Sequence, residues 1–372
     1  MGGFAVRGYH DTNLAIHVVA GLALFAVLRR TLRLPALAKP FGEAAFPLAL
    51  SSALIWTVHP LQTESVSFIV QRTESLVGCW YLLVLYCFMR GSDSRPPAFW
   101  QALAVVFCLL GMATKEVMVS APLMVLVYDR TFVSGTFKVA WARHGKLHAA
   151  LAATWLLLLF LVSTGRGTRL LGADFDPATN GWTYLLKQCA AIVTYLRRSI
   201  WPHPLVMDYG TNVVRQVTDV LPEAVLLVGL FVGTLVALRC RPALGFLGLW
   251  FFAILAPSSS FVPLPAQTMA EHRMYLPLAA IVVAFVLAGY RGLNRRVLAA
   301  AFVLMVAHGA LTARRNLDYQ TETTIWRDTI AKRPSNARAH YNLGWSLGVR
   351  HPDRIAAFET ALRLTPNYPD AH

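Results

Sequence analysis

Carboxylates, histidine and cations stand together at three places in this sequence, each beside a long apolar run. Lys and Arg at a membrane surface can hold a lipid phosphate, Lys as a point charge and Arg in a bidentate manner. Anchors that reach from an apolar helix to the interface would use the same residue types, so both interpretations stay open. The residues concerned are Glu64, Arg72, Glu74, Lys115, Glu116, Glu271, His272 and Arg273.

A fourth polar group lies where the first apolar run begins. His10, Asn13 and His17 are three and four residues apart, which puts them on one face of a helix. Polar groups at that depth face a cavity or a partner, so they either line a binding site or form hydrogen bonds between helices. No carboxylate or third histidine stands at a suitable spacing, and no cysteines are paired as Cys-x-x-Cys. We therefore predict no metal site.

Residues 59–74 have the pattern of an amphipathic helix. Glu64 and Glu74 fall on one face, while Val66 and Ile69 fall on the other. We expect this helix to lie on the outer membrane interface, either as part of a site or as a solvated surface. The long loop 165–220, with Asp174, Asp176 and Asp208, and the proline-rich segment 257–265 could cover such a site.

The elements that must position these residues are membrane helices. Apolar residues make up 56% of the 372 residues, charged residues make up 14%, and mean hydropathy is +0.50. The net charge of +15 comes from cations scattered at the ends of apolar runs, which disfavours nucleic acid as a partner. A helix at 182–200 carries internal cations and is expected to lie along the interface. About ten spans are predicted, at 13–29, 43–59, 75–90, 98–114, 116–129, 147–164, 221–238, 243–257, 275–290 and 297–313.

The loop charges predict the orientation. Lys and Arg are enriched in alternate loops, which the positive-inside rule assigns to the cytoplasm, whereas most carboxylates fall in the other loops. Chemistry is therefore expected on the outer face, and with ten spans both termini are outside. Because an outer N-terminus without a signal is unusual, we expect a further helix upstream. The predicted cytoplasmic cations are Arg29, Arg30, Arg33, Lys39, Arg90, Arg95, Arg130, Lys138, Arg143, Lys146, Arg239, Arg241, Arg291, Arg295 and Arg296.

The C-terminal region contains an internal repeat. Trp326 and Pro334 have counterparts 32 residues later in Phe358 and Pro366, and Gly344 lies where two helices would pack closely. The tetratricopeptide (TPR) period is roughly 34, so this repeat is slightly short. Fewer than two complete repeats cannot bury a core, so the tail should dock on the membrane domain or continue. We predict a membrane domain at 1–314 and a partial, extracytoplasmic TPR region at 315–372.

Taken in order, these stretches resemble the transmembrane and TPR-containing O-mannosyltransferases. The resemblance covers nearly the whole chain and implies an all-α fold, a polytopic transmembrane bundle of GT-C glycosyltransferase type with a C-terminal TPR repeat. The matching pieces are Gly8-Tyr9-His10 through Asn13 to His17, His59-Pro60 through Glu64 to Arg72 and Glu74, Lys115-Glu116, Tyr128-Asp129, Pro202 to Asp208-Tyr209, Glu271-His272-Arg273 to Pro277, and the repeat.

The resemblance implies transfer of mannose or another hexose from a polyprenyl-phosphate donor to an extracytoplasmic acceptor. A carboxylate would act as base on the acceptor hydroxyl, and cations would neutralise the leaving phosphate without a metal or cofactor. The base is unassigned, with Glu64, Glu74 and Glu116 as candidates. The implied donor-binding residues are His10, Asn13, His17, Arg72, Lys115, Glu271, His272 and Arg273.

Such enzymes place their catalytic carboxylate in the first outer loop, which would precede residue 1. We expect that the true start lies upstream or that the chain is inactive. The alternative is a non-enzymatic scaffold whose TPR segment recruits an extracytoplasmic partner; a transporter is disfavoured because inverted repeats of broken helices are not evident. The expected location is a bacterial inner membrane, or else the endoplasmic reticulum membrane.

Overall fold

The computed structural model describes residues 6–164, 181–210, 214, 216–259 and 268–366. Asp174, Asp176, most of the proline-rich segment and the end of the second repeat copy lie outside the described residues. The described residues form helices, turns and loops without a β-strand, which confirms the all-α class. The α-helices are α1 (Val6–Thr31), α2 (Pro35–Phe41), α3 (Ala45–Thr57), α4 (Thr63–Ser67), α5 (Arg72–Asp93), α6 (Ala98–Thr114), α7 (Ala121–Tyr128), α8 (Phe137–Ala153), α9 (Trp155–Ser163), α10 (Gly181–Ile200), α11 (Leu221–Cys240), α12 (Pro242–Leu255), α13 (Pro277–Leu293), α14 (Arg296–Asp318), α15 (Glu322–Lys332), α16 (Ala337–Ser346) and α17 (Asp353–Leu364).

This is a multi-pass membrane protein. Among the described residues, five helical stretches are long and apolar enough to cross a bilayer, and α3, α6, α12 and α13 are shorter apolar helices. All ten predicted spans coincide with helical segments. The least regular is 116–129, in which a 3₁₀ turn, Glu116–Ser120, precedes α7. The five long stretches are Gly8–Thr31, Ile69–Asp93, Phe137–Ser163, Val217–Cys240 and Arg296–Asp318.

Close packing among α1, α3, α5 and α13 brings the polar segments to one end of the bundle. Gly78 on α5 allows this approach, because a Cβ there would lie 2.5 Å from the Tyr275 ring. The indole nitrogen of Trp56 donates to the carbonyl of Tyr275 over 2.8 Å. Asn13, Arg72 and the segments before α7 and α13 therefore meet at this end, which we call the predicted outer face.

The prediction of one amphipathic helix over residues 59–74 was wrong. The chain forms two short 3₁₀ turns and α4 before α5 begins, and Phe68 has an extended backbone (φ −86°, ψ 111°). Glu64 has no exposed surface, so it points into the bundle instead of along the interface. The reason is tertiary: a hydrogen-bonding partner from a distant segment outweighs the local pattern.

The C-terminal tail docks on the membrane domain, which is one of the two outcomes expected from the sequence. Helix α14 continues to Asp318, just beyond the predicted boundary at 314. The Lys332 ammonium donates to the carbonyl of Leu205 over 2.9 Å. The Asp208 carboxylate accepts two hydrogen bonds from the Arg338 guanidinium. The tail therefore lies at the predicted outer face.

The repeat seen in the sequence has a structural counterpart. Helices α15 and α17 occupy stretches about one repeat apart, and α16 packs against both. Gly344 lies against Phe358, where an added Cβ would be 2.7 Å from the ring. The predicted close approach at Gly344 is confirmed.

Candidate active site

Glu64 and His272 form the buried centre of the polar network. The turn Pro60–Gln62 and α4 position Glu64, and the 3₁₀ turn Glu271–Met274 before α13 positions His272. Glu64 Oε1 lies 2.7 Å from His272 Nδ1, and Oε2 accepts from the backbone N–H of His272 over 2.9 Å. Both side chains are buried. One carboxylate thus holds both the backbone and the ring of the histidine, which orients its other ring nitrogen.

That second nitrogen faces a carboxylate–lysine pair. His272 Nε2 lies 3.8 Å from Glu74 Oε1 on the first turn of α5. The same oxygen accepts from Lys115 Nζ over 2.5 Å. Lys115 has an extended backbone after α6, which carries its side chain across to α5. Glu64, His272, Glu74 and Lys115 thus form a row of neighbouring ionisable groups, in which the His272–Glu74 separation of 3.8 Å is longer than a hydrogen bond. The Lys115 side chain retains 16% exposure.

Arg72 lies beside this chain as a half-buried cation. The Asn13 side-chain oxygen accepts from Arg72 Nε over 2.7 Å, and the Asn13 amide donates to the carbonyl of Val66 over 3.1 Å. The guanidinium also lies 5.1 Å from the Tyr9 ring centroid. Among the described side chains, no carboxylate forms an ion pair with Arg72. Asn13 orients this cation but leaves its charge available to an anion.

Glu271 connects the site to the loop that follows α10. Its Oε1 accepts from the backbone N–H of Val206 over 2.6 Å and from the Tyr209 hydroxyl over 2.7 Å. Burial raises the pKa of Glu271 to about 7, and the nearby Glu64 charge acts in the same direction. Burial and the Glu271 charge raise the pKa of Tyr209 well above its usual value. Near neutral pH this carboxyl is therefore protonated to a greater extent than an ordinary glutamate.

Arg273 is surrounded by a separate group of oxygen atoms, which we call the Arg273 cradle. Its Nη1 donates to the carbonyls of Thr268 and Ser258 over 3.1 and 3.2 Å, and lies 3.4 Å from the Tyr184 hydroxyl. Tyr184 in turn donates to the carbonyl of Ser258 over 2.9 Å. Arg273 is buried, so it holds α10 and the segment before the turn in place as well as bringing a cation to this end of the bundle.

The remaining predicted residues divide by environment. His17 is buried, with Nδ1 2.8 Å from the Tyr275 hydroxyl and Nε2 2.9 Å from the Thr57 carbonyl. This is the helix-to-helix bonding that the sequence left open. His10 is half-buried at the start of α1. Glu116 is also half-buried, and among the described residues its carboxylate has no hydrogen-bonding partner. Of the three candidate bases, only Glu116 is not engaged.

Several supporting residues were not apparent from the sequence. Tyr184 and Gln188 on α10 face the Arg273 cradle, where the Gln188 amide donates to the Thr268 carbonyl over 2.8 Å. Tyr195 on the same helix accepts from the Ala270 N–H over 2.9 Å. Their spacing of four and seven residues on one face of a cationic amphipathic helix was the available signal.

An apolar cavity of about 490 Å³ opens between α1, α2, α5, α7, α12 and α13. It follows α13 from Ala279 to Arg291, a distance of about 18 Å at the helical rise. Leu82, Phe246 and Trp250 line its wall. Ala279 lies only a turn below Tyr275, so one end of the cavity approaches the polar network.

Comparison with known proteins finds relatives over most of the chain. The Caenorhabditis elegans protein O-mannosyl-transferase F38B6.6 is 22% identical over 97% of this chain and 51% of its own length. The human protein O-mannosyl-transferase TMTC4 is 25% identical over 93% of the chain and 53% of its own length. Drosophila melanogaster protein O-mannosyl-transferase Tmtc3 is 26% identical over 98% of the chain and 47% of its own length. The chain thus spans about half the length of these curated relatives. No protein-family model and no solved structure matches it.

Proposed function

We propose that this chain, a relative of the transmembrane and TPR-containing O-mannosyltransferases, is a membrane glycosyltransferase. In this proposal it transfers mannose, or another hexose, from a polyprenyl-phosphate donor to a hydroxyl of a protein acceptor. Transfer takes place on the extracytoplasmic side, and neither a metal nor a cofactor takes part. The GT-C type of membrane domain and the TPR character of α15–α17 belong to the same proposal.

The observation that carries the proposal is the convergence of cations and carboxylates at one end of an apolar bundle. Arg72, Lys115 and His272 come from three distant segments and meet through Asn13, Glu74 and Glu64. Arg72 is half-buried, and it has no carboxylate partner among the described residues. An anion such as a lipid phosphate would supply that partner.

The site's residues then have distinct tasks in the transfer. The acceptor oxygen forms a bond to the anomeric carbon while the bond from that carbon to the phosphate oxygen breaks. Arg72 and Lys115 neutralise the charge that develops on the departing lipid phosphate. Glu116, the unengaged candidate, is available to take the hydroxyl proton, whereas Glu64 and Glu74 orient His272 and Lys115.

The apolar cavity fits the other half of such a donor. A polyprenyl chain is entirely hydrocarbon and must lie in an apolar environment, and the cavity starts close to the polar network. Its walls are supplied by the same helices, α1, α5 and α13, that border the network. A donor bound with its phosphate at the predicted outer face and its polyprenyl chain along α13 is therefore consistent with this geometry.

The test measures transfer of labelled mannose from polyprenyl-phosphate mannose to membrane proteins. Arg72→Met and Lys115→Met should each lower the rate by roughly 100-fold, which is typical for loss of one preorganised charge. Arg33→Met, an exposed cation at the opposite end, is the matched control and should not change it. Normal transfer by both site variants, or absence of transfer by folded wild-type protein, would refute the proposal.

A scaffold role for the tail is the second candidate, and surface apolarity favours it. Trp345, Val349 and Ile355 are 60%, 84% and 69% exposed on α16, α17 and their connection. Large exposed apolar residues close together are typical of protein-binding surfaces. If recruitment is the function, Trp345→Ala should abolish capture of an extracytoplasmic partner while Arg72→Met leaves it intact. The opposite pattern of sensitivity would favour the enzyme.

A further inference from the structure

Two histidines and one carboxylate converge at the end of the bundle opposite the polar network. Asp129 begins a π-helical turn, Asp129–Val133, immediately after α7, and His144 and His148 lie on α8. Asp129 Oδ2 is 2.8 Å from His144 Nδ1 and 2.9 Å from His148 Nε2. The three potential ligand atoms all lie within 4.8 Å of one another. Such a grouping was not predicted from the sequence.

The local backbone brings these three side chains together. A spacing of four puts His144 and His148 on the same face of α8. The helix is irregular at His144 itself (φ −124°, ψ 16°), and its imidazole there reaches Asp129. The Ser134 hydroxyl donates to Asp129 Oδ1 over 2.7 Å, which leaves Oδ2 to face both rings. π-helical turns are uncommon and frequently occur at functional sites.

Among the described residues, the Asp129 carboxylate faces only the two imidazoles as possible cationic partners. Asp129 has no exposed surface, and among the described side chains no Lys or Arg lies within ion-pair distance of it. His148 is 4% exposed, and its Nδ1 is buried without a hydrogen-bonding partner. A divalent ion bound at His144 Nδ1, His148 Nε2 and Asp129 Oδ2 would pair directly with the buried carboxylate charge.

The geometry points to a Zn²⁺ site formed by Asp129, His144 and His148. Two imidazole nitrogens and one carboxylate oxygen are a common three-residue ligand set for Zn²⁺, with the fourth position left for water. His144 retains 13% side-chain exposure, which provides access and room for that water. A bound ion would join the turn after α7 to α8, which the sequence connects only through residues 134–136.

Phe88 and Trp141 form an apolar wall around this site. The Phe88 ring centroid lies 5.4 Å from that of His144 and 5.9 Å from that of His148, while Trp141 stacks on His148 at 6.3 Å. Such a wall lowers the local dielectric constant and strengthens the attraction between a divalent ion and the Asp129 carboxylate. The ion would therefore act as a structural tie at this end of the membrane domain.

Metal binding to the purified full chain tests this site. The protein carries an affinity tag without histidine, is stripped with a chelator and is titrated with Co²⁺, whose visible absorption reports tetrahedral nitrogen and oxygen ligands. Wild type should show one Co²⁺ band that Zn²⁺ displaces, and Zn²⁺ should raise its unfolding temperature. Asp129→Asn and His144→Gln should weaken binding by more than the roughly 10–100-fold cost of losing an outer-sphere partner.

His351→Gln, in an exposed loop of the tail, is the control and should bind as wild type does. The unfolding profile of each variant without metal shows whether it is folded, and His144→Gln provides a second variant if Asp129→Asn is unstable. Absence of Co²⁺ absorption in folded wild type would overturn the proposal. Equal binding by wild type and both site variants would also overturn it.

Discussion

Replacing Glu64 by alanine is expected to destabilise the whole bundle. The Glu64 carboxylate forms two buried hydrogen bonds to His272, at 2.7 and 2.9 Å. Hydrogen bonds to a charged group contribute about 1.5–3 kcal/mol each, so the loss should be about 3–6 kcal/mol. For a chain of this size, about 1.3 °C of unfolding temperature corresponds to each kcal/mol. The expected decrease is thus roughly 4–8 °C.

Glu64→Gln should have a much smaller effect. The amide oxygen can accept from the backbone N–H of His272, and the amide nitrogen can donate to His272 Nδ1 in the other tautomer. The number of hydrogen bonds is retained and only their charge assistance is lost, which costs about 1–2 kcal/mol, or roughly 1–3 °C. The contrast between the two variants therefore separates hydrogen bonding from simple loss of a charge.

The protein's own cysteines provide the assay. Cys79, Cys87 and Cys108 are buried in the helical bundle, so a thiol-reactive fluorophore labels them only on unfolding. Cys240 is exposed and Cys189 is half-buried, so both are replaced by serine to remove background. Glu43→Ala, an exposed carboxylate at the other end, is the control and should leave the melting profile unchanged.

Two results would contradict this account of the Glu64 site. If Glu64→Ala melts within about 2 °C of wild type, the carboxylate does not stabilise the bundle through His272. If alanine and glutamine lower the temperature equally, the effect comes from the charge and not from the two hydrogen bonds.

Two further predictions concern stability, one for the pH dependence of unfolding and one for the tail. Because the pKa of Glu271 is raised from 4.5 to about 7 in the fold, its stabilising contribution is full below pH 4.5 and is lost as pH rises to 7. Wild type should lose roughly 3 kcal/mol over that interval, whereas Glu271→Gln should lack this part of the pH dependence; parallel profiles would contradict the pKa assignment. Gly344→Ala should destabilise the tail by about 1–3 kcal/mol because its Cβ meets the Phe358 ring, and Phe358→Leu in the same chain should recover part of that loss. Full stability of Gly344→Ala, measured by protease resistance of the tail, would show that the ring moves freely.

Much of the architecture was predictable because it depends on local sequence. Apolar runs long enough to span a bilayer must form helices, since lipid cannot satisfy backbone hydrogen bonds. All ten predicted spans accordingly fall on helical segments, and Gly344 lies at the predicted close approach. The polar groups were predictable by type, because Glu64, Arg72, Lys115 and His272 are rare residues beside apolar runs.

The pairing of these groups depended on contacts between distant segments. The local pattern of residues 59–74 predicted a single surface helix, but burial of Glu64 on His272 produced two turns and a short helix instead. Nothing in the spacing distinguished His17, which joins helices, from Asn13, which orients Arg72. Hydrogen bonds across more than 50 residues carry no periodic signal.

The sequence alone determined that this protein is an α-helical, multi-pass membrane protein with a short helical repeat, since periodicity and hydropathy act within single segments. Only the tertiary structure decided which carboxylates are engaged, that Arg72 keeps an uncompensated charge among the described residues, and that Asp129 meets His144 and His148. The physical reason is that the energy of a buried charge is set by its neighbours in space, and those neighbours come from helices far apart in the chain.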